Sequence, residues 1–163
     1  MQRIKPGPGQ ESVWDYPRPP ALEPTSRRIR VMVGGVLVAD SRSTVRVLET
    51  SHPPAYYVPP ADVRTDVVAP VMERQSVCEW KGVAAYWSIT TEHVHVTEAA
   101  WSYPEPNPDY REIKDHLCFY AARVDGAWVD DERVVPQPSD FYGGWITSDI
   151  VGPFKGGPGT WGW

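Results

Sequence analysis

The chain has 163 residues and a mass of 18.3 kDa, about one domain with arms. With 41% hydrophobic and 23% charged residues it has the balance of a globular chain, not a disordered one. A net charge of −5 argues against a general nucleic-acid binder, and no run of about 18 apolar residues offers a membrane span.

The first 28 residues are expected to form an arm. Pro6, Pro8, Pro17, Pro19, Pro20 and Pro24 interrupt regular structure, while Trp14 and Tyr16 suit docking on the body. The body is expected to span 29–135. Ile29–Val33 and residues 36–40 alternate on either side of Gly34-Gly35, which predicts a two-residue hairpin. Thr44–Leu48 alternates again, and Tyr56-Tyr57-Val58 is a short strand closed by Pro59-Pro60. Residues 61–68 suit one or two helical turns. Gly82–Thr90 and residues 93–96 pair about a turn near Thr91-Glu92.

One α-helix is predicted over 108–117. Asn107 is a good N-cap, Pro108 suits the first position, and Asp109 and Glu112 sit at the positive end of the dipole. Tyr110, Ile113, Leu117 and Tyr120 form its apolar stripe. Asp125-Gly126 predicts a second hairpin turn, between residues 121–124 and 127–129. Residues 136–163 form a Gly/Trp-rich arm whose Phe141, Tyr142, Trp145, Ile146 and Phe154 are too apolar to leave in water. The expected fold is mainly β: a small antiparallel domain with one covering α-helix and extended N- and C-terminal arms.

Three runs carry possible chemistry. Residues 49–63 gather Glu49, Thr50, Ser51, His52, Tyr57 and Asp62, with Pro53-Pro54 stiffening the loop after the imidazole. Residues 76–88 hold Cys78, Lys81 and Tyr86. Lys81 before Gly82 suits a point charge over an anion, and Gly82 admits a close neighbour. Residues 98–106 place Trp101 and Tyr103 on one face of an extended segment, where with Tyr57, Tyr86 and Trp87 they would wall an aromatic pocket. Each run also suits plain packing: a self-bonded loop around His52, a buried Cys78, a solvated Lys81, a core of rings.

The expected site is one cleft. His52, Lys81 and Asp62 are its candidate catalytic groups, and Glu49, Tyr57, Tyr86, Trp101 and Tyr103 its candidate ligand contacts. The first function is a module binding a small polar or aromatic ligand. The alternative is an acid–base or group-transfer enzyme using His52 with Asp62, Glu49 or Lys81. A third reading has the arms exchanging between subunits of a homo-oligomer. No metal or cofactor is expected: Cys78 and Cys118 form no paired motif, and His93 and His95 lack further ligands. The opening residues lack the apolar core of a signal peptide, so a cytoplasmic protein with reduced thiols is expected.

The stretches 49–63 (ETSHPPAYYVPPADV), 78–89 (CEWKGVAAYWSI) and 99–106 (AAWSYPEP) resemble a bacterial family, domain of unknown function 427. The resemblance covers roughly residues 29–135, and the ending from Phe141 is similar to the tail of longer members. The family has also carried a nucleotidyltransferase-type label, but no paired carboxylates beside a Gly-Ser loop are visible here. The resemblance implies a fold similar to the β-tent, two sheets enclosing an aromatic-lined cleft. Many β-tent proteins hold a structural zinc on two Cys pairs, which this chain lacks. Fold likeness alone does not establish function.

Overall fold

A computed structural model describes all of residues 1–163. Three antiparallel sheets form the body. The central one has four strands: Cys118–Phe119, His95–Ser102, Gly82–Thr90 and Val68–Cys78, in that spatial order. A second four-stranded sheet orders Glu132–Arg133, Gly126–Val129, Ile29–Val33 and Val36–Ser41. A third joins Ala21–Thr25, Thr44–Leu48 and Ala55–Tyr57. This third sheet goes beyond the two expected from the resemblance, and its edge strand comes from the Pro-rich segment, with Pro24 opposite Val45. A proline is tolerated there because an edge strand has unpaired N–H positions to spare.

The Gly34-Gly35 hairpin forms, with φ of 57° and 77° at the two glycines. Positive φ at both central residues is what a type I′ turn demands. The hairpin expected at Asp125-Gly126 does not form. Residues Ala121–Arg123 are a 3-10 turn, and the strand Gly126–Val129 instead pairs with Ile29–Val33 and, across Asp130-Asp131, with Glu132–Arg133. Asp130 takes the positive φ there, 52°. An aspartate tolerates that conformation where most residues do not.

The expected α-helix over 108–117 is a 3-10 segment, Pro108–Ile113, with a non-helical Tyr110 inside it. Tertiary pairing wins over local periodicity. The backbone of Leu117 is taken by Val58, N–H to O and O to N–H at 2.8 Å each, and Asp115 N–H bonds Tyr103 O. A ten-residue helix is marginal by itself and yields to such pairing. Tyr110, Ile113, Leu117 and Tyr120 are nonetheless all buried. Asn107 makes no cap; its side chain donates to Trp80 O at 2.8 Å and its N–H to Lys81 O at 2.9 Å.

The central sheet carries a core on each face, because side chains alternate along a strand. Ala100 and Phe119 face an aliphatic core with Ile29, Val31, Val33, Val38 and Val129. Their neighbours Trp101 and Cys118 face the opposite core, with Tyr57, Tyr86, Tyr103 and Tyr110. Tyr56 and Tyr57 divide likewise: Tyr56 stacks on the fully buried Trp145, with ring centroids 5.1 Å apart, and Tyr57 meets Trp101 edge-on.

Both arms dock. Glu11–Ser12 runs parallel to Ile150–Val151, and Trp145–Ile146 pairs with Val135–Pro136. Trp14 Nε1 donates to Pro153 O at 2.9 Å. Val13, Tyr16, Leu48 and Ile150 close a small third core between the arms and the body. The buried Arg46 pins the same region by bonding Glu11 and Glu23.

Candidate functional site

The core on the aromatic face does not close. It leaves a cavity of about 400 Å³ between the central and third sheets. Glu49, His52, Tyr57, Lys81, Tyr86, Trp101 and Tyr103 all line it, so seven of the eight candidate residues meet around one space. They reach it from the 49–57 loop and strand, from the turn before Gly82, and from two strands of the central sheet. Cys78 lines it as well.

The eighth candidate, Asp62, lies elsewhere, as does Trp87, the further ring expected in the pocket wall. Asp62 sits on the turn Pro60–Asp62 and its carboxylate accepts from Ser41 Oγ at 2.6 Å. The two prolines that stiffen 59–60 turn it toward the strand Val36–Ser41, away from the cavity. Trp87 also faces away: strand alternation puts it against the aliphatic core, with Nε1 donating to Ser102 Oγ at 2.8 Å.

Lys81 is held by its own turn. Asn107 bonds the carbonyls of Trp80 and Lys81, and Gly82, at φ 115°, lets residues 105–107 lie close against it. Only 9% of Lys81 is exposed. No carboxylate lies within 4.0 Å of its Nζ and no hydrogen-bond acceptor engages it. The Nζ sits 5.7 Å from the centre of the Tyr103 ring, within cation–π range.

Glu49 and His52 form a pair, Oε2 to Nε2 at 3.4 Å. The other imidazole nitrogen, Nδ1, lies 3.2 Å from Gln137 Nε2. Arg18 also reaches Glu49 Oε2, at 3.3 Å. Burial pushes the Glu49 carboxyl up, but the His52 hydrogen bond and the charges of His52, Lys81 and Arg18 outweigh it and hold it below the usual glutamate value. Tyr57 and Tyr103 are shifted the other way, chiefly by burial, so both stay phenols. Tyr57 accepts from Trp101 Nε1 at 3.1 Å, so its own O–H is a donor, with the Tyr103 phenol beside it.

The remaining wall was not foreseen as part of the site. Gln137, Phe141, Tyr142, Gly143 and Gly144 come from the C-terminal arm. Tyr142 packs edge-on against His52, centroids 4.8 Å apart. A side chain at Gly143 would run into the Trp101 indole, and one at Gly144 into Pro53 O. Two glycines between aromatic residues were the available signal: they let the arm lie directly on the ring and loop below.

A family model for a domain of unknown function (DUF427) matches residues 21–130, most of the chain. The chain belongs to this family. No curated protein matches it closely enough to lend it an activity. The DUF427 region supplies every strand of the three sheets but Glu132–Arg133, with Glu49, His52 and Lys81, whereas Arg18 and the Gln137–Gly144 wall lie outside it. No group of three or more His, Cys, Asp or Glu side chains is arranged to hold a metal ion. No helix is long and apolar enough to cross a membrane.

Proposed function

We propose that the cleft binds a small planar ligand bearing an oxyanion, with the anion on Lys81 and the ring among Tyr57, Tyr86, Trp101 and Tyr103. The observation that carries this reading is Lys81, nine-tenths buried and with no carboxylate in contact, only the Glu49 charge farther across the cavity. Burying a charge without a partner is costly, so a complementary charge from a ligand fits the site. The phenols of Tyr57 and Tyr103 add O–H donors, and a wall of rings suits a flat molecule. The volume suits a small molecule.

A second reading, acid–base catalysis, rests on the Glu49–His52 pair. The wiring favours binding instead. Glu49 is held ionised, so it has no proton to give near neutrality. The Nδ1 lone pair of His52 is already engaged by Gln137.

Titration calorimetry with benzoate and indole-3-carboxylate, each against its neutral carboxamide, tests the binding reading. The carboxylates are expected to bind, the amides far more weakly, and Lys81→Met to abolish the difference. Equal binding of acid and amide, or unchanged acid binding in Lys81→Met, overturns it.

A further inference from the structure

The Gln137 side chain has one orientation that its backbone neighbours allow. Its Oε1 accepts from Gly144 N–H at 2.9 Å, and an N–H cannot accept. Its Nε2 donates to Lys155 O at 2.8 Å, and a carbonyl cannot donate. The amide group is therefore fixed without reference to His52. The second hydrogen on Nε2 then faces His52 Nδ1 at 3.2 Å.

We propose that Gln137 is a positioning residue that sets the tautomer of His52. A donor facing Nδ1 requires a lone pair there, so the neutral imidazole carries its proton on Nε2. That proton lies on the Glu49 side of the ring, with Oε2 3.4 Å from Nε2. The Tyr142 ring edge fixes the plane of the imidazole from a third side. The charged groups around the ring are Glu49 itself, Arg18 beyond it, Lys81 across the cavity and Lys155, whose Nζ lies over the outer Tyr142 ring at 5.2 Å.

The consequence concerns how the cleft is completed. His52 and Glu49 belong to the family domain, yet Gln137 and Arg18, which orient them, lie outside residues 21–130. The arms thus determine how the pair is held: the His52 Nε2–H is committed to the Glu49 side, so Lys81 and the phenols are the donors left for an oxyanion. That bearing on ligand choice rests on the binding reading above; the tautomer does not.

The test is long-range ¹H–¹⁵N correlation of the histidine rings in the full chain without ligand, above the imidazolium range, with His52 assigned by its loss in His52→Gln. Wild type is expected to show His52 with an unprotonated Nδ1 and a protonated Nε2. Gln137→Glu replaces the donor with an acceptor and is expected to remove that pattern, moving a proton onto Nδ1. Gln137→Met, similar in shape but with neither group, is expected to leave a mixture of tautomers. A protonated Nδ1 in neutral wild type overturns the proposal, even if both variants fail to fold. So does an unchanged pattern in a folded Gln137→Met. Because no ligand is present, failure of the carboxylate titrations leaves this result untouched.

Discussion

The two faces of the central sheet are built from the same strands and end in opposite states. On one face Ile29, Val31, Val33, Val38 and Phe119 are fully buried and interlock, and the Trp145 indole beside them already donates to Phe119 O. On the other face rings replace branched aliphatics, and flat, rigid shapes leave a gap where the sheets diverge. Lys81, His52 and Glu49 project into that gap. The difference teaches that a hollow core keeps its polar groups only when neighbours hold them in place. Asn107 does so for the Lys81 turn, and Gln137 and Arg18 for the His52–Glu49 pair.

Breaking the dry face should have the largest effect and leave the hollow face's chemistry alone. Phe119→Ala removes a fully buried ring from the aliphatic core and is expected to cost about 3–5 kcal/mol of unfolding free energy in denaturant titration. The fraction that remains folded should bind the carboxylate probes as wild type does. Lys81→Met sharpens the contrast from the other side. It should leave stability unchanged or raised, since a buried ammonium with no contacting carboxylate goes, and weaken carboxylate binding by about 1.5–3 kcal/mol, the size of a hydrogen bond to a charged group. Gly143→Ala drives a Cβ into the Trp101 indole. Overpacking of this kind costs about 1–3 kcal/mol, and Trp101 fluorescence should change as the arm lifts.

Local signals in the sequence were enough for the β class, the Gly34-Gly35 hairpin and the paired strands Gly82–Thr90 and His95–Ser102. Each depends on turn chemistry or alternation within a few residues. The helix was misjudged because Leu117 and Asp115 spend their backbone groups on Val58 and Tyr103, partners distant in sequence. The long strand Val68–Cys78 was missed for a related reason: it is an edge, mostly exposed, and broken in register between Pro70 and Gln75. Its residues alternate weakly because only one side meets the body. For the site, shared polar–aromatic composition pointed to Glu49, His52, Lys81 and the rings. Asp62 had the same composition and a different direction, set by the turn at Pro59-Pro60. Gln137 had no chemical signature at all; its role exists only through the backbone of Gly144 and Lys155.

The smallest effect expected is electrostatic, and it separates the hollow face from the dry one by pH. Glu49 is held below the ordinary value of 4.5 in the folded chain, and an unfolded chain lacks His52, Lys81 and Arg18 around it. The unfolded state therefore binds the proton more readily, and stability rises with pH wherever that difference exists. The contribution of Glu49 is complete above about 4.5 and disappears as the pH drops through the lower folded value. Wild type and Glu49→Gln should thus differ in melting temperature at pH 7 and converge as the pH is lowered below that of an ordinary glutamate. The aliphatic core contains no carboxylate or imidazole, and burial raises its one phenol, Tyr56, so Phe119→Ala should stay offset from wild type by a constant amount over the same range. A Glu49→Gln offset that is equally constant with pH would show that this carboxylate acts through shape and hydrogen bonding alone, not through its charge beside His52.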